Sequence, residues 1–210
     1  MISLAGLRHA TGNLLPAFLW LLILYPSALR LTAAADLLNL AQRGTGLAFS
    51  LLVIILFAVR RPRVGRRAKP LGSAIALTGT LGPLGLGLFP STFQAPDVLA
   101  LSTVITLVGL SWSIYSLATL GRCFGIFPEV RGLVIRGPYR FVRHPLYLGE
   151  MVSAFGVLLP ILAWPSLALW LAWLGFQGWR TIEEERILSA TFPDYRAYQA
   201  RTPRLIPPIW

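Results

Sequence analysis

The sequence predicts an all-α fold, a multi-pass transmembrane bundle of about six helices, on three observations. Hydrophobic residues make up 55% of the 210 residues and charged residues only 13%, against about 25% charged in soluble domains. The apolar residues are grouped into stretches of about the 20 residues that a helix needs to cross a bilayer. The basic residues lie mainly between these stretches, as in membrane proteins.

Four apolar stretches predict four membrane-spanning helices. They cover residues 11–34, 44–60, 70–90 and 97–120. The first stretch follows Arg8 and His9 and resembles a secretory signal peptide. We expect it to be retained as a helix, and its removal would leave the other spans unchanged.

A fifth apolar region, Leu146 to Trp179, is interrupted by Pro160 and Pro165. Because proline breaks the hydrogen-bond ladder of a helix, this region predicts a helical hairpin and brings the total to six helices. The stretch 70–90 is rich in small residues, which predict close packing against another helix. These are Gly72, Ser73, Gly79, Gly82, Gly85 and Gly87.

The orientation follows from the distribution of arginine and lysine. Residues 60–69 contain six basic residues, and the positive-inside rule places this loop in the cytoplasm. With that loop inside, only Arg30 and Arg43 of the 19 basic residues lie on the other side. We therefore expect a multi-pass cell-membrane protein whose two termini and active site face the cytoplasm. Residues 1–120 would form a four-span region, and residues 121–210 would carry the polar chemistry.

Composition excludes several functional classes. The single cysteine, Cys123, excludes an internal disulfide and a cysteine-based zinc site, and with two histidines we expect no metal. The net charge of +11 is explained by topology and contacts with membrane lipids, so we expect no nucleic-acid partner. A non-catalytic transporter or lipid-binding protein stays an alternative, although the first four stretches carry few of the mid-span charges typical of transporters.

The first motif is the segment Gly137–Glu150. Gly137 and Pro138 predict a turn, and Pro145 suits the first turn of a helix. His144 would then border a helix N-terminus, where free amides and the helix dipole attract an anion.

A simpler alternative exists for this motif. Arg140, Arg143 and Tyr147 could be interfacial anchors, and His144 could serve only as a helix cap. The density of turn, cationic and aromatic residues in so short a segment favours a functional site.

The second motif is the segment Arg180–Leu188. Arg180 and Glu184 are four positions apart and share one face of a helix. We interpret Glu183 and Arg186 as a local ion pair on a solvated helix end. The three adjacent carboxylates of residues 183–185 repel one another, which predicts a cationic ligand.

An amphipathic tail follows the second motif. It could lie in the membrane interface or fold over the site. Its aromatic, basic and proline residues are Phe192, Tyr195, Tyr198, Arg201, Arg204, Pro207 and Pro208.

The two motifs together resemble the isoprenylcysteine carboxyl methyltransferase and phospholipid methyltransferase family of membrane enzymes, over roughly Leu133 to Pro207. The family pattern is a Gly-Pro-Tyr turn followed by Arg-His-Pro-x-Tyr-x-Gly, and later an Arg four positions before a Glu-Glu pair, then Leu, Phe and two Tyr. The chain matches it with residues 137–149 and then with Arg180, Glu184, Glu185, Leu188, Phe192, Tyr195 and Tyr198.

The resemblance implies S-adenosylmethionine as cofactor and a site built from both motifs. It implies cofactor contacts from Leu133, Val134, Tyr139, His144, Pro145, Leu146, Tyr147 and Glu184. It implies a substrate-facing role for Arg180, which makes Arg180 and Glu184 the catalytic candidates. The chain departs from the family at Pro193, where a Gly is common, and at Arg131, where the prenylcysteine enzyme has a His.

Within this site, the helix N-terminus with His144 could take the carboxylate of the cofactor, and Glu184 could take a cation. Tyr139 and Tyr147 could present ring faces to the adenine or the sulfonium. The acceptor would be a lipophilic, membrane-borne small molecule. A carboxylate acceptor is already nucleophilic and needs only a positioning cation, which Arg180 supplies. N-methylation of a phospholipid amine and S-methylation of a thiol stay open as alternatives.

Overall fold

Six α-helices account for most of the chain that the computed structural model describes, namely residues 36–67, 70–127 and 129–206, with residues 17–18, 20–22, 24–25 and 28–29 of the first apolar stretch. They are α1 (Leu37–Val59), α2 (Pro70–Leu81), α3 (Pro96–Leu120), α4 (Pro145–Leu158), α5 (Trp164–Thr191) and α6 (Tyr195–Arg201). The mainly helical prediction is confirmed.

Two helices of the described chain are long and apolar enough to cross a membrane. They are Leu37–Val59 and the helical segment Pro96–Cys123, which coincide with the second and fourth predicted spans. Most of the first predicted span, 11–34, lies outside the described residues, and the described residues between 17 and 29 are helical. The full count of six spans stays a prediction.

The third predicted span is not one continuous α-helix. α2 ends at Leu81, and the chain continues to Leu88 as a 3₁₀-helix with Pro83 in its first turn. Proline lacks the N–H that an α-helix needs at this position and clashes with the preceding turn, which explains the change.

The predicted close packing of this segment is confirmed at three glycines, which contact α5. A Cβ atom at Gly79 would lie 2.8 Å from Oε1 of Gln177, and one at Gly82 would lie 2.4 Å from Cδ1 of Trp173. A Cβ atom at Gly85 would lie 3.1 Å from Cδ2 of Leu169.

The predicted helical hairpin is confirmed. α4 ends at Leu158, a 3₁₀ turn covers Leu159–Ile161, and α5 begins at Trp164. The turn is attached to the loop before α3, because the carbonyl of Pro160 accepts hydrogen bonds from the N–H groups of Thr92 and Phe93, at 2.8 and 3.0 Å.

α3 and α4 pack along small residues that let their backbones approach. A Cβ atom at Gly109 would lie 2.7 Å from the carbonyl oxygen of Gly149. The hydroxyl of Ser102 donates a hydrogen bond of 2.8 Å to the carbonyl of Gly156. Such contacts supply helix association where lipid gives no hydrophobic driving force. They fix the start of α4, with the first motif, beside the end of α3.

The fold is not purely α-helical, because two short antiparallel strands join the basic loop to the segment after α3. β1 (Val64–Arg67) pairs with β2 (Glu129–Val130), with Val64 opposite Val130 and Arg67 opposite Glu129. The all-α prediction missed them because strands this short carry almost no alternating pattern. Their pairing brings the basic loop, residues 60–69, next to residues 129–130 in the second half of the chain.

Candidate functional site

Seven of the eight predicted cofactor-contacting residues line one cleft, with a volume of about 110 Å³. The seven are Leu133, Val134, Tyr139, His144, Leu146, Tyr147 and Glu184. Pro145 does not line the cleft; it is buried in the first turn of α4, which positions its neighbours. β2, the start of α4, the end of α5 and α6 surround the cleft.

His144 precedes α4 as its N-cap residue, as the sequence predicted, but its side chain makes no capping hydrogen bond. Its Nε2 lies 3.0 Å from Oε1 of Glu185, and its ring stacks on Tyr147 with centroids 5.5 Å apart. The alternative that His144 serves only as a cap is therefore wrong.

Glu185 is the centre of a buried ionic cluster. Its carboxylate accepts hydrogen bonds from the guanidinium of Arg204 at 3.0 and 2.9 Å, from Arg143 at 3.2 Å and from Gln199 at 3.1 Å. Burial opposes the charged form of Glu185, but the hydrogen bonds from His144 and Arg204 and the nearby positive charges outweigh burial and lower its pKa to about 2. The cluster ties the tail to the end of α5.

Each of the three adjacent carboxylates has a partner within the protein, so their mutual repulsion does not by itself require a cationic ligand. Glu183 forms the predicted local ion pair with Arg186, at 3.2 Å. Glu185 is held by the ionic cluster, and Glu184 accepts a hydrogen bond from the Tyr147 hydroxyl. Consecutive helix positions point in different directions, so each carboxylate finds its own partner.

Arg180 and Glu184 share one helix face, as predicted, with Nε of Arg180 3.5 Å from Oε1 of Glu184. The guanidinium of Arg180 also lies over the ring of Tyr147, 4.6 Å from its centroid. Glu184 lines the cleft, whereas Arg180 lines a second cavity of about 630 Å³. The pair therefore stands between two separate spaces.

The second cavity lies among α1, α2, α3, α4 and α5. Glu150 lines it together with Arg180, and the Glu150 carboxylate accepts a hydrogen bond of 2.8 Å from Nε2 of Gln177. Neither Glu150 nor Gln177 was assigned a role from the sequence. The available signal was a carboxylate more than one turn inside an apolar helix, which is typical of functional positions in membrane proteins.

Arg180 is almost fully buried and held from several directions. Its guanidinium donates to the carbonyl of Ile126 at 2.7 Å and to the hydroxyl of Thr80 at 3.2 Å. Its Nε has no hydrogen-bond partner in the described part of the chain. Arg180 is thus a fixed positive group with remaining donor capacity.

The tail folds over the cleft rather than extending away from it. Tyr195 and Tyr198 line the cleft, and the Tyr198 hydroxyl donates to the carbonyl of Tyr139. Burial raises the pKa of Tyr198 to about 12, which keeps this hydroxyl a donor.

The backbone of the tail also pairs with the first motif. The N–H groups of Arg143 and His144 donate to the carbonyls of Pro203 and Arg204, at 2.9 and 3.1 Å. Pro207 and Pro208, which were assigned to the same tail, lie outside the described residues.

Arg131, the first departure from the family pattern, lies directly after β2, lines the cleft and is buried. Its guanidinium donates to the carboxylate of Glu129 at 2.8 Å and to the carbonyl of Arg61. Pro193, the second departure, lies exposed just after α5 and does not line the cleft. The change at Arg131 therefore alters the site, and the change at Pro193 alters only the start of the tail.

Comparison with known proteins finds similarity in the second half of the chain. Residues 95–194 match the family model for phospholipid methyltransferase. The cobalt-zinc-cadmium resistance protein CzcN of Cupriavidus metallidurans is 36% identical over 99 residues, which cover 44% of this chain and 45% of the relative. The chain thus spans less than half the length of this curated relative. The family match covers α3 to α5 and both motifs, so the resemblance seen in the sequence is confirmed.

Proposed function

We propose that the protein is an integral membrane methyltransferase that uses S-adenosylmethionine and modifies a lipophilic acceptor, a proposal supported by the match of residues 95–194 to the phospholipid methyltransferase family model. The observation that carries the proposal is the position of Arg180 and Glu184. The two side chains form an ion pair, yet Glu184 lines the cleft and Arg180 lines the second cavity, among the helices. A water-soluble donor and a membrane-borne acceptor need such an arrangement.

The donor groups of the cleft fit S-adenosylmethionine, which when bound supplies an electrophilic methyl group on a sulfonium. Glu184 offers a carboxylate for a cationic group, and Tyr139 and Tyr147 offer aromatic rings. Arg131 and Arg143 each line the cleft with a buried Nε that lacks a hydrogen-bond partner among the described residues. These two guanidinium groups offer partners for the carboxylate of the cofactor.

The carboxylate of the cofactor is thus assigned to Arg131 and Arg143 and not, as predicted from the sequence, to the helix N-terminus at His144. The His144 backbone N–H already donates to the carbonyl of Arg204. Its ring lies 3.8 Å from Glu184 and 3.0 Å from Glu185. A further carboxylate there would meet two like charges, so the arginines are the better partners.

The first candidate acceptor is a carboxylate. It needs no base, and Arg180 would hold it in line with the methyl group. The burial of Arg180 supports this role, since a fixed cation in a water-poor site positions an anion more strongly than one in solvent.

A second candidate acceptor is an amine, and Glu150 is the observation that favours it. An ammonium group in the second cavity could transfer a proton to the Glu150 carboxylate and become a neutral amine. The amine nitrogen would then form the new N–CH₃ bond while the CH₃–S bond breaks and its electron pair returns to sulfur. The hydrogen bond from Gln177 would hold Glu150 in place for this step.

We also propose that the cleft faces the cytoplasm. The basic loop 60–69 is the segment that the positive-inside rule assigns to that side. The pairing of β1 with β2 supports the same side for the cleft, because Glu129 and Val130 of β2 line it.

The test is methyl transfer from labelled S-adenosylmethionine to lipophilic carboxylate, amine and thiol acceptors by the full chain in phosphatidylcholine nanodiscs. We expect label in one acceptor class, and heat of binding for S-adenosylhomocysteine by calorimetry. No binding of either nucleoside and no transfer to any acceptor would refute the proposal.

A further inference from the structure

The second cavity follows α1 for most of its length. The α1 residues that line it recur every three or four positions and so form one face of the helix. They include Asn39, Gln42, Arg43, Gly46, Ser50 and Val53. At about 1.5 Å per residue, the distance along the helix from Asn39 to Val53 is about 20 Å. The cavity is therefore long rather than round.

Its two ends are polar and its middle is largely hydrocarbon. Arg180 and Glu150 lie at one end, and Asn39, Gln42 and Arg43 lie at the other. The wall between them includes Leu47, Leu84, Leu110 and Val157.

Two hydroxyl groups in this wall are satisfied by their own helices. Ser50 donates to the carbonyl of Gly46 at 3.0 Å, and Thr106 donates to the carbonyl of Ser102 at 2.8 Å. Such hydroxyls present little unsatisfied polarity to an apolar occupant. Ser113 also lines the cavity, and its hydroxyl is the exception, with no hydrogen-bond partner among the described residues.

Gly46 opens directly into this space. A Cβ atom built at Gly46 would meet no atom within 4 Å, and Gly46 lines the cavity. Gly44 is two residues away on the same helix and also has no atom within 4 Å of its Cβ position, but it does not line the cavity. The chain thus contains a matched pair of glycines, one inside the cavity and one outside it.

We propose that this cavity holds the hydrocarbon tail of the acceptor, a single-chain lipid whose reactive head lies at Arg180 and Glu150 and whose tail runs along α1 past Gly46. Asn39 and Gln42 set the upper limit of the tail length. A longer apolar chain would bury these polar side chains without giving them hydrogen-bond partners, which is unfavourable. Tail length, about 20 Å at most, is then a specificity determinant of the enzyme. The assignment of the head rests on the proposed methyl transfer, whereas the assignment of the tail rests on the cavity alone.

The experiment maps the tail directly, without activity. Fatty acids with an octyl or a hexadecyl chain, and the corresponding amines, carry a photoreactive diazirine at the tail end. They are added to the full chain in phosphatidylcholine nanodiscs, and labelled residues are located by mass spectrometry. The hexadecyl probes should label Asn39 and Gln42, and the octyl probes should label the region of Ser50. Leu51 and Ile55, which are exposed on the outer face of α1, report background labelling from the bilayer.

Gly46→Phe places a ring in the path of the tail, and Gly44→Phe is the matched control. We expect hexadecyl labelling at Asn39 and Gln42 to fall at least fivefold in Gly46→Phe and to stay unchanged in Gly44→Phe, with octyl labelling retained in both. If Gly46→Phe lowers the melting temperature more than Gly44→Phe does, Gly46→Leu replaces it. Equal labelling in the two variants, or labelling at Leu51 and Ile55 alone, would overturn the tail assignment. The specified labelling pattern without any methyl transfer would instead refute the proposed function and keep the lipid site.

Discussion

Nε of Arg180 and Oε1 of Glu184 lie 3.5 Å apart on one turn of α5, yet the two side chains line different spaces. A helix places residues four apart on one face, and here that face forms the partition between the cleft and the cavity. The two residues can therefore act on different molecules while remaining in contact. Changes at the two positions should have different consequences.

Arg180→Lys should lower turnover by roughly tenfold or more, because a lysine keeps the charge but loses the planar fork that aligns the acceptor. The affinity for S-adenosylmethionine should change little, since Arg180 does not line the cleft. The measurements are cofactor titration by calorimetry and turnover with the acceptor identified in the methyl-transfer assay. Arg186→Lys, at an exposed ion pair on the same helix, is the control. Full turnover in Arg180→Lys would contradict the assigned role.

Glu184→Gln should weaken cofactor binding, because it removes the negative partner of a cationic ligand and keeps the shape of the side chain. Loss of a charge-assisted contact predicts an affinity lower by about tenfold. Calorimetric titration with S-adenosylhomocysteine and S-adenosylmethionine should show the larger loss for the sulfonium compound. Glu183→Gln, whose carboxylate pairs with Arg186, should bind both normally. Equal losses in the two variants would remove Glu184 from the cofactor site.

The ionic cluster should make the protein sensitive to acid. The pKa of Glu185 is about 2 in the fold, below the value of 4.5 for a free glutamate. The charged Glu185 stabilises the fold fully at pH values above its pKa in the unfolded chain. This stabilisation is lost as the pH falls through its pKa in the folded protein, that is, between about pH 4.5 and 2. Melting temperatures in that window should decline steeply in the native protein and more gently in Glu185→Gln. Glu183→Gln should keep the native slope, and identical slopes in all three would show that Glu185 does not govern acid stability.

Gly109→Ala should destabilise the contact between α3 and α4. The added Cβ would lie 2.3 Å from the backbone nitrogen of Ser153, which cannot move without shifting α4. Overpacking of this kind costs about 1–3 kcal/mol. Gly175→Ala is the control, because its Cβ meets no atom within 4 Å and the substitution favours the helix. Thermal unfolding in detergent should show a lower melting temperature for Gly109→Ala only, and a native melting temperature there would contradict the packing.

The predicted topology places the basic loop and the tail on one side of the membrane. Arg63 and Arg196 are both exposed, and each is replaced by cysteine, one at a time, in a Cys123→Ser background. Each new cysteine should react with a membrane-impermeant maleimide only after the cells are opened. Reaction of either cysteine in intact cells would refute the shared cytoplasmic side.

Local features of the site could be predicted from sequence, because their causes lie within a few residues. Pro145 marks the start of α4, and the shared face of Arg180 and Glu184 follows from helix periodicity alone. The break between α2 and the 3₁₀ segment was also visible, since Pro83 lies inside the third apolar stretch. The break was nevertheless not predicted, because the stretch is apolar throughout and was therefore interpreted as one span.

Partners that are distant in the sequence could not be predicted. His144 meets Glu185 forty-one positions later, and Glu150 meets Gln177 twenty-seven positions later. No spacing rule connects such pairs, because the packing of α4 on α5 decides them. The family resemblance located most of the cleft but did not show which charges are already neutralised within the protein.

The backbone hydrogen bonds from Arg143 and His144 to Pro203 and Arg204 also set an order for biosynthesis. α3 and α4 can enter the membrane and pack while the ribosome is still adding the tail. The cleft can be completed only after residues 203 and 204 have left the ribosomal tunnel and returned to the start of α4. A nascent chain can therefore pack α3 on α4 before the cleft is complete. Chains truncated before Pro203 should likewise insert normally and fail to retain S-adenosylhomocysteine.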